Sequence, residues 1–197
     1  MSSSTMTLET TTAYTGLPRT VGEVTLREVG NRSIVCMAFA VAARDAVDTL
    51  CESALGANLP AVGKVSRAQD GLTLLGLQHD QIWCTRDGAD RVDEKCLLVK
   101  LGYPDGIYLT NQGDGWSTLV LDGGNVTAVL ERLCLLDLDL RSFPVGMVAR
   151  TVMDHMSTVI VRTGESTFDI MTPRSFASSL LHAIENVALH IHNESRL

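Results

Sequence analysis

An α+β fold is predicted for this chain, with helices packed on mixed or antiparallel sheets, and three observations predict it. Short runs of alternating apolar and polar residues, bounded by Gly-rich turns, recur along the chain and read as strands. Two stretches, near 43–55 and 173–191, carry apolar residues at helical spacing. The order strands, helix, strands occurs twice, at about 23–102 and about 103–197, so two similar halves of a single domain are expected behind an N-terminal arm, 1–22.

The arm is rich in Ser and Thr, which predicts a flexible segment. Residues 24–29 alternate Val, Leu and Val against Thr, Arg and Glu, as a half-buried strand does. Gly30-Asn31 is a turn signal and 33–40 is a more fully apolar strand, so the two strands read as a hairpin. Ala43, Val47, Leu50, Cys51, Ala54 and Leu55 then mark one face of a helix, stopped by Gly56. Residues 58–71 read as loop, and 72–84 as strand, tight polar turn, strand, with Trp83 on the second strand. After a charged connection, 96–101 reads as a further strand.

Tyr103-Pro104-Asp105-Gly106 is a turn between the halves, followed by a short strand at 107–110. Residues 116–121 place Trp116, Thr118 and Val120 on one face and Ser117, Leu119 and Leu121 on the other. Asp122-Gly123-Gly124-Asn125 turns the chain into a helix whose Val126, Val129, Leu130 and Leu133 face the core. A strand at 147–153 follows Phe143-Pro144-Val145-Gly146, and 158–162 with 167–171 form a hairpin. The last helix is predicted to open at Thr172-Pro173, with Thr as cap and Pro first inside, and to bury Phe176, Leu180, Ile184, Val187 and Ile191.

A chain of 197 residues, 45% hydrophobic and 20% charged, buries enough apolar surface to fold without a disulfide or a metal. Its net charge of −7 and lack of any basic run argue against nucleic acid as a partner. The five cysteines are odd in number and form no CxxC pair, which points to a reducing compartment. The N-terminus has no secretory pattern, and the longest apolar run, 34–43, is too short to span a bilayer. A soluble, cytoplasmic protein without a membrane partner is the expectation.

No catalytic, cofactor-binding or metal-binding residue is assigned from the sequence. Walker, GxSxG, HExxH and GxGxxG patterns do not occur. His190 and His192 are two apart on a helix and diverge, and Asp154-His155 reads as a surface turn. His79-Asp80 belongs to the turn before Trp83, and His182 to the polar face of the last helix. The Gly123-Gly124 pair opens a helix, where ordinary turn geometry explains it. Trp83 and Trp116 read as core or interface anchors.

From about Leu72 to Ala188, however, a series of short motifs resembles one family in order and spacing. Leu74-Leu75-Gly76 through Asp80-Gln81-Ile82-Trp83 looks like that family's Trp-Leu-Gly-Pro-Asp-Glu-Trp turn, without its Pro and with Gln81 in place of Glu. Leu121-Asp122-Gly123-Gly124-Asn125 resembles a Leu-Ser-Gly-Pro-Asp helix opening, and Cys134-Leu135-Leu136-Asp137-Leu138 resembles Cys-Pro-Leu-Asp-Leu. Phe143-Pro144-Val145-Gly146 and Arg174-Ser175-Phe176-Ala177 match closely. The family is the gamma subunit of heterotetrameric sarcosine oxidase, which shares a domain with the folate-binding aminomethyltransferases.

The resemblance implies a subunit of an alpha-beta-gamma-delta complex that oxidatively demethylates sarcosine to glycine, forming hydrogen peroxide and passing one carbon to tetrahydrofolate. It implies no cofactor in this chain. FAD, FMN, NAD, zinc and tetrahydrofolate are expected on the alpha, beta and delta partners. The role implied here is non-catalytic and structural. A related complex acting on another N-methyl amino acid, and a free-standing folate-binding aminomethyltransferase-like protein, are the alternatives.

Overall fold

The structure is a computed structural model and describes residues 12–196. Among these, the strands form two antiparallel sheets. β1 (Arg19–Val21) and β2 (Val24–Glu28) come from the N-terminus, and β3 (Arg32–Phe39) follows. β4 (Val65–Arg67), β5 (Thr73–Gly76), β6 (Gln81–Asp87) and β7 (Ile107–Asn111) complete a five-stranded sheet in the order β4-β5-β6-β3-β7. β8 (Trp116–Asp122), β9 (Val148–Met153), β10 (Met156–Arg162) and β11 (Thr167–Pro173) join β1 and β2 in a six-stranded sheet. Its order is β1-β2-β8-β11-β10-β9.

Both sheets are buried on two faces, and the period of two sorts their side chains into three apolar layers. Val35, Met37 and Phe39 of β3 pack with Ile82 and Cys84 of β6 beneath Val47, Cys51 and Leu55 of α1 (Arg44–Leu55). Leu97 and Leu101 of α2 (Glu94–Leu101) close the same layer. The alternate residues Ile34, Cys36, Leu75 and Trp83 face Val148, Val159, Val161 and Met171 of the other sheet. Beyond it, Leu119, Leu121, Ile160, Phe168 and Ile170 pack under α3 (Val126–Glu131) and α4 (Ala177–Glu194). The chain is therefore layered helix, sheet, sheet, helix, and the expected α+β class with antiparallel sheets holds.

The two sheets are also stitched along one edge. Lys64 bridges to Met147, and the Val65 and Val148 amides donate to Gly146 and Gly63 carbonyls at 3.0 Å each.

Several expectations are corrected. Residues 24–29 and 33–40 are strands but not a hairpin, because β2 pairs with β1 and β8 while β3 pairs with β6 and β7. The chain steps from one sheet to the other at 29–31. For the same reason the halves do not divide at 102/103. β7 belongs with β3, and the N-terminal β1 and β2 belong with the C-terminal strands.

The part of the predicted flexible arm that is described, 12–22, is packed. Tyr14 is 3% exposed over the outer face of the six-stranded sheet, β1 pairs with β2, and Arg19 forms an ion pair with Glu185 of α4. The remainder of the arm, 1–11, lies outside the described residues.

The predicted loop 58–71 contains β4. The predicted strand 96–101 is helical: Asp93 caps it by accepting from the Cys96 amide at 2.7 Å, and Gly102 ends it in the left-handed region, φ 73°. The last helix begins at Ala177, since Thr172 and Pro173 finish β11 and the Thr172 hydroxyl donates to Ser157 O. Phe176 consequently lies half-exposed, outside the stripe that buries Leu180 and Ile184.

Candidate functional site

A group of charged residues of the inter-sheet layer gathers at one end, around a cavity of about 610 Å³ lined from both sheets. Strand alternation explains which side chains point there. Val24 and Leu26 face the outer core, so Arg27 on β2 faces inward. Arg32 shares the inner face of β3 with Ile34 and Cys36, and Arg67 shares that of β4 with Val65. Asp87 and Asp169 follow Trp83 and precede Met171 at even spacing on β6 and β11.

Arg32 is the centre of this group. Its Nε and Nη2 donate to both Asp87 carboxylate oxygens at 2.6 and 2.8 Å, and Nη2 lies 2.6 Å from Asp169 of the other sheet. The Arg32 and Asp169 side chains are each 11% exposed, so this is a nearly buried ion pair joining the sheets. Burial opposes the charge on Arg32, but Asp87 and Asp169 outweigh it and hold the guanidinium above its ordinary range. Arg86 and Arg162 also border the cavity, but alternation sends their side chains to the outer faces. Arg86 pairs with Asp70 at 2.6 Å, and Asp70 also holds Lys100 of α2 at 2.5 Å. Arg162, 4% exposed, donates to the carbonyls of Leu138, Phe143, Gly164 and Glu165 and so ties two loops to β10.

Away from the cavity, the inter-sheet layer holds Trp83 and Trp116 edge to face, with centroids 4.7 Å apart. The Arg150 guanidinium lies 5.4 Å from the Trp83 ring and 5.9 Å from that of Trp116. Trp83 is thus a core residue, 2% exposed.

The histidines are dispersed. Asp154 and His155 form the two-residue turn between β9 and β10, both at positive φ, as a type I′ hairpin turn requires. His79 O accepts from Arg44, His182 meets Asn186 at 3.0 Å, and His190 meets Glu194 at 3.1 Å. Burial pushes the thiols of Cys36, Cys84 and Cys134 up, and that of Cys51 up to about 12, so these cysteines are small apolar residues rather than nucleophiles. Among the described residues, no group of three or more His, Cys, Asp or Glu is placed to hold a metal ion. None of their helices is long and apolar enough to cross a membrane.

A model of the sarcosine oxidase, gamma subunit family matches residues 39–188. This chain belongs to that family. It is 31% identical over 165 residues to sarcosine oxidase subunit gamma of Corynebacterium sp. (strain P-1), covering 83% of this chain and 79% of the relative. Against sarcosine oxidase subunit gamma of an Arthrobacter species the identity is 28%, with the same coverage. The solved heterotetrameric sarcosine oxidase from Corynebacterium sp. U-96, in complex with pyrrole 2-carboxylate, contains a chain of the same fold. The TM-score is 0.77 at 24% identity, with 88% of each chain covered. The glycine cleavage system aminomethyltransferase T from Bartonella henselae shares the fold over 83% of this chain but only 45% of its own, with a TM-score of 0.60 at 15% identity.

Within the gamma subunit family, the motifs that carried the resemblance fall on turning points of the fold. Leu74 to Trp83 is the β5–β6 hairpin, and Leu121 to Asn125 is the passage from β8 into α3. Gly123 is fixed there by close approach: at φ 132°, a Cβ would run into the Glu23 carbonyl. Phe143 to Gly146 feeds β9 and supplies Val145 and Gly146 to the cavity wall. The charged residues of the cavity were not legible, since Arg27 and Arg32 belong to different sheets, Arg67, Asp87 and Asp169 stand far from them in sequence, and only the pairing of the sheets unites them.

Proposed function

We propose that this chain is the gamma subunit of a heterotetrameric sarcosine oxidase and that it serves the complex as a structural, non-catalytic chain. The observation that carries the reading is family membership along 39–188, with a curated gamma subunit matched over most of its length. The complex would demethylate sarcosine to glycine, forming hydrogen peroxide and passing one carbon to tetrahydrofolate. Alpha, beta and delta chains would be its partners and carry FAD, FMN, NAD, zinc and the folate, in the cytoplasm.

The chemistry of this chain supports a structural role. Arg32 is committed to two aspartates and Arg162 to loop carbonyls, so these buried charges bind the fold together. Four buried thiols are held protonated. The half-exposed Phe176 and Leu189, at the start and towards the end of α4, offer apolar surface to a neighbouring subunit.

The test is a native pull-down of the tagged full chain from its source cells, followed by mass and visible absorbance. A large yellow complex that releases hydrogen peroxide from sarcosine is expected. A colourless monomer that retains folate on dialysis would replace this reading with that of a free-standing folate-binding protein. Faster turnover of another N-methyl amino acid by the yellow complex would reassign its substrate.

A further inference from the structure

We infer that the cavity between the two sheets is a binding site for a small organic or inorganic anion carrying at least two acidic oxygens, a dicarboxylate or a phosphate. Nothing in the family reading requires such a site. The chain as a whole is acidic, at −7, yet the three arginines whose side chains face the cavity, Arg27, Arg32 and Arg67, outnumber its two aspartates, Asp87 and Asp169. A local excess of one sign, set against the sign of the whole molecule, concentrates field in the cleft and draws in counter-charge.

The arginines divide by what they already hold. Arg32 is committed to Asp87 and Asp169, Arg86 to Asp70, and Arg162 to main-chain carbonyls. Arg27 and Arg67 are different. Both are exposed, and neither side chain has a hydrogen bond or ion pair among the described residues. They stand on opposite walls, Arg27 on β2 of the six-stranded sheet and Arg67 on β4 of the five-stranded sheet. A guanidinium presents paired N–H donors that match the two oxygens of a carboxylate or phosphate. Two of them facing one cleft can hold an anion with an acidic group toward each wall. The volume, about 610 Å³, falls within the usual range for small-molecule sites.

The floor fits the same chemistry. Arg32 is fixed by Asp87 and Asp169, so it cannot swing out to capture the ligand, and it keeps the cleft preorganised. Leu75 and Val161 add an apolar wall against which a short carbon chain would lie. Arg27 and Arg67 are therefore the residues that select charge, and the rest of the cavity supplies shape.

The test is titration of the full chain, alone and in its complex, with succinate and with inorganic phosphate at matched ionic strength, followed by calorimetry and thermal unfolding. Saturable binding by one probe is expected, and the stronger probe says which acid the site takes. The double variant R27A/R67A, which removes two unpaired surface side chains, should keep the unfolding temperature of the free chain and weaken binding by at least about tenfold. R141A serves as a control, because Arg141 lies 91% exposed against Asp139 and does not border the cavity. Absence of saturation up to about 10 mM would overturn the proposal, since weaker binding is indistinguishable from salt. Equal loss in R141A and R27A/R67A would overturn it too. Binding by the free chain that vanishes in the complex, with assembly weakened by R27E/R67E, would assign the cleft to an acidic segment of a neighbouring subunit instead.

Discussion

The five-stranded sheet is made from one continuous stretch, β3 to β7, whereas the six-stranded sheet is made from two stretches that meet across it. In the first, β5 and β6 form a hairpin and β3 receives the strands on either side from later in the same stretch. In the second, β8 is paired to β11 on one side and to β2 on the other, so its two neighbours come from opposite ends of the chain. The difference teaches where each sheet is vulnerable. The five-stranded sheet depends on its own turns. The six-stranded sheet depends on a junction between distant segments, and that junction lies where β2 meets the end of β8.

Substitution at the two glycines that permit close approach would test this most strongly. Gly123 lies against the Glu23 carbonyl just before β2, and Gly76 lies against the Ala61 carbonyl beside β5. Gly123→Val should cost about 4 kcal/mol or more, because the clash and the positive φ both oppose it and β2 must leave β8. Gly76→Ala should cost about 1–3 kcal/mol, since the loop ahead of β4 can shift. Urea unfolding measures both, and a larger loss at Gly76 would reverse the ranking of the sheets.

Next in size to Gly123→Val is loss of the ion pair that joins the sheets. Arg32→Met leaves Asp169 nearly buried without its cation and should cost about 3–5 kcal/mol. Adding Asp169→Leu should restore much of it, because apolar replacement of both partners removes the stranded charge. If the double variant is no more stable than Arg32→Met, the cost resides in Asp87 and within one sheet.

Each sheet also carries a group that titrates at one end of the pH scale. Tyr14 covers the six-stranded sheet and accepts from the Ser117 hydroxyl at 3.1 Å. Burial pushes its phenol up to about 12. A raised value means that the folded state favours the neutral ring, so this contribution is whole below about pH 10 and is lost as pH rises toward 12. Tyr14→Phe should lose about 1 kcal/mol at neutral pH and show a flatter alkaline limb.

Asp70 acts at the other extreme, on the five-stranded side. Burial raises its carboxyl, but Lys100 and Arg86 override that and hold it well below the usual carboxylate range. Its contribution is present above the unfolded value of about 4 and is lost as pH falls below it. Asp70→Asn should slightly lower stability at pH 7 and flatten the acid limb, leaving the alkaline limb unchanged. Denaturant midpoints measured across pH for both variants would show whether the limbs separate as described.

Sequence reading succeeded where pairing is local. The β5–β6 and β10–β11 hairpins are legible because each has two alternating runs about one polar turn. It failed at β2 and β3, because alternation fixes which residues share a face but not which sheet receives the strand. Residues 96–101 carry too short an apolar run for the period to decide, and the informative signals lay outside it, at Asp93 and Gly102. Thr172-Pro173 resembles a helix opening, yet β11 continues to its end because Thr172 is buried beside Ser157. The cavity was invisible for a related reason. Its charges are neighbours only once two sheets, each correctly ordered, lie face to face.

The placement of β8 has a consequence for how the chain is made. Synthesis proceeds from the N-terminus, so β1 and β2 leave the ribosome before any strand that can hold them. All the strands of the five-stranded sheet follow them and can close among themselves while Val24 and Leu26 still lack a covering layer. Only when β8 emerges does that early ribbon find its place. The ribbon that precedes every other described strand is the one that waits longest to be housed, and in that interval its apolar face is uncovered.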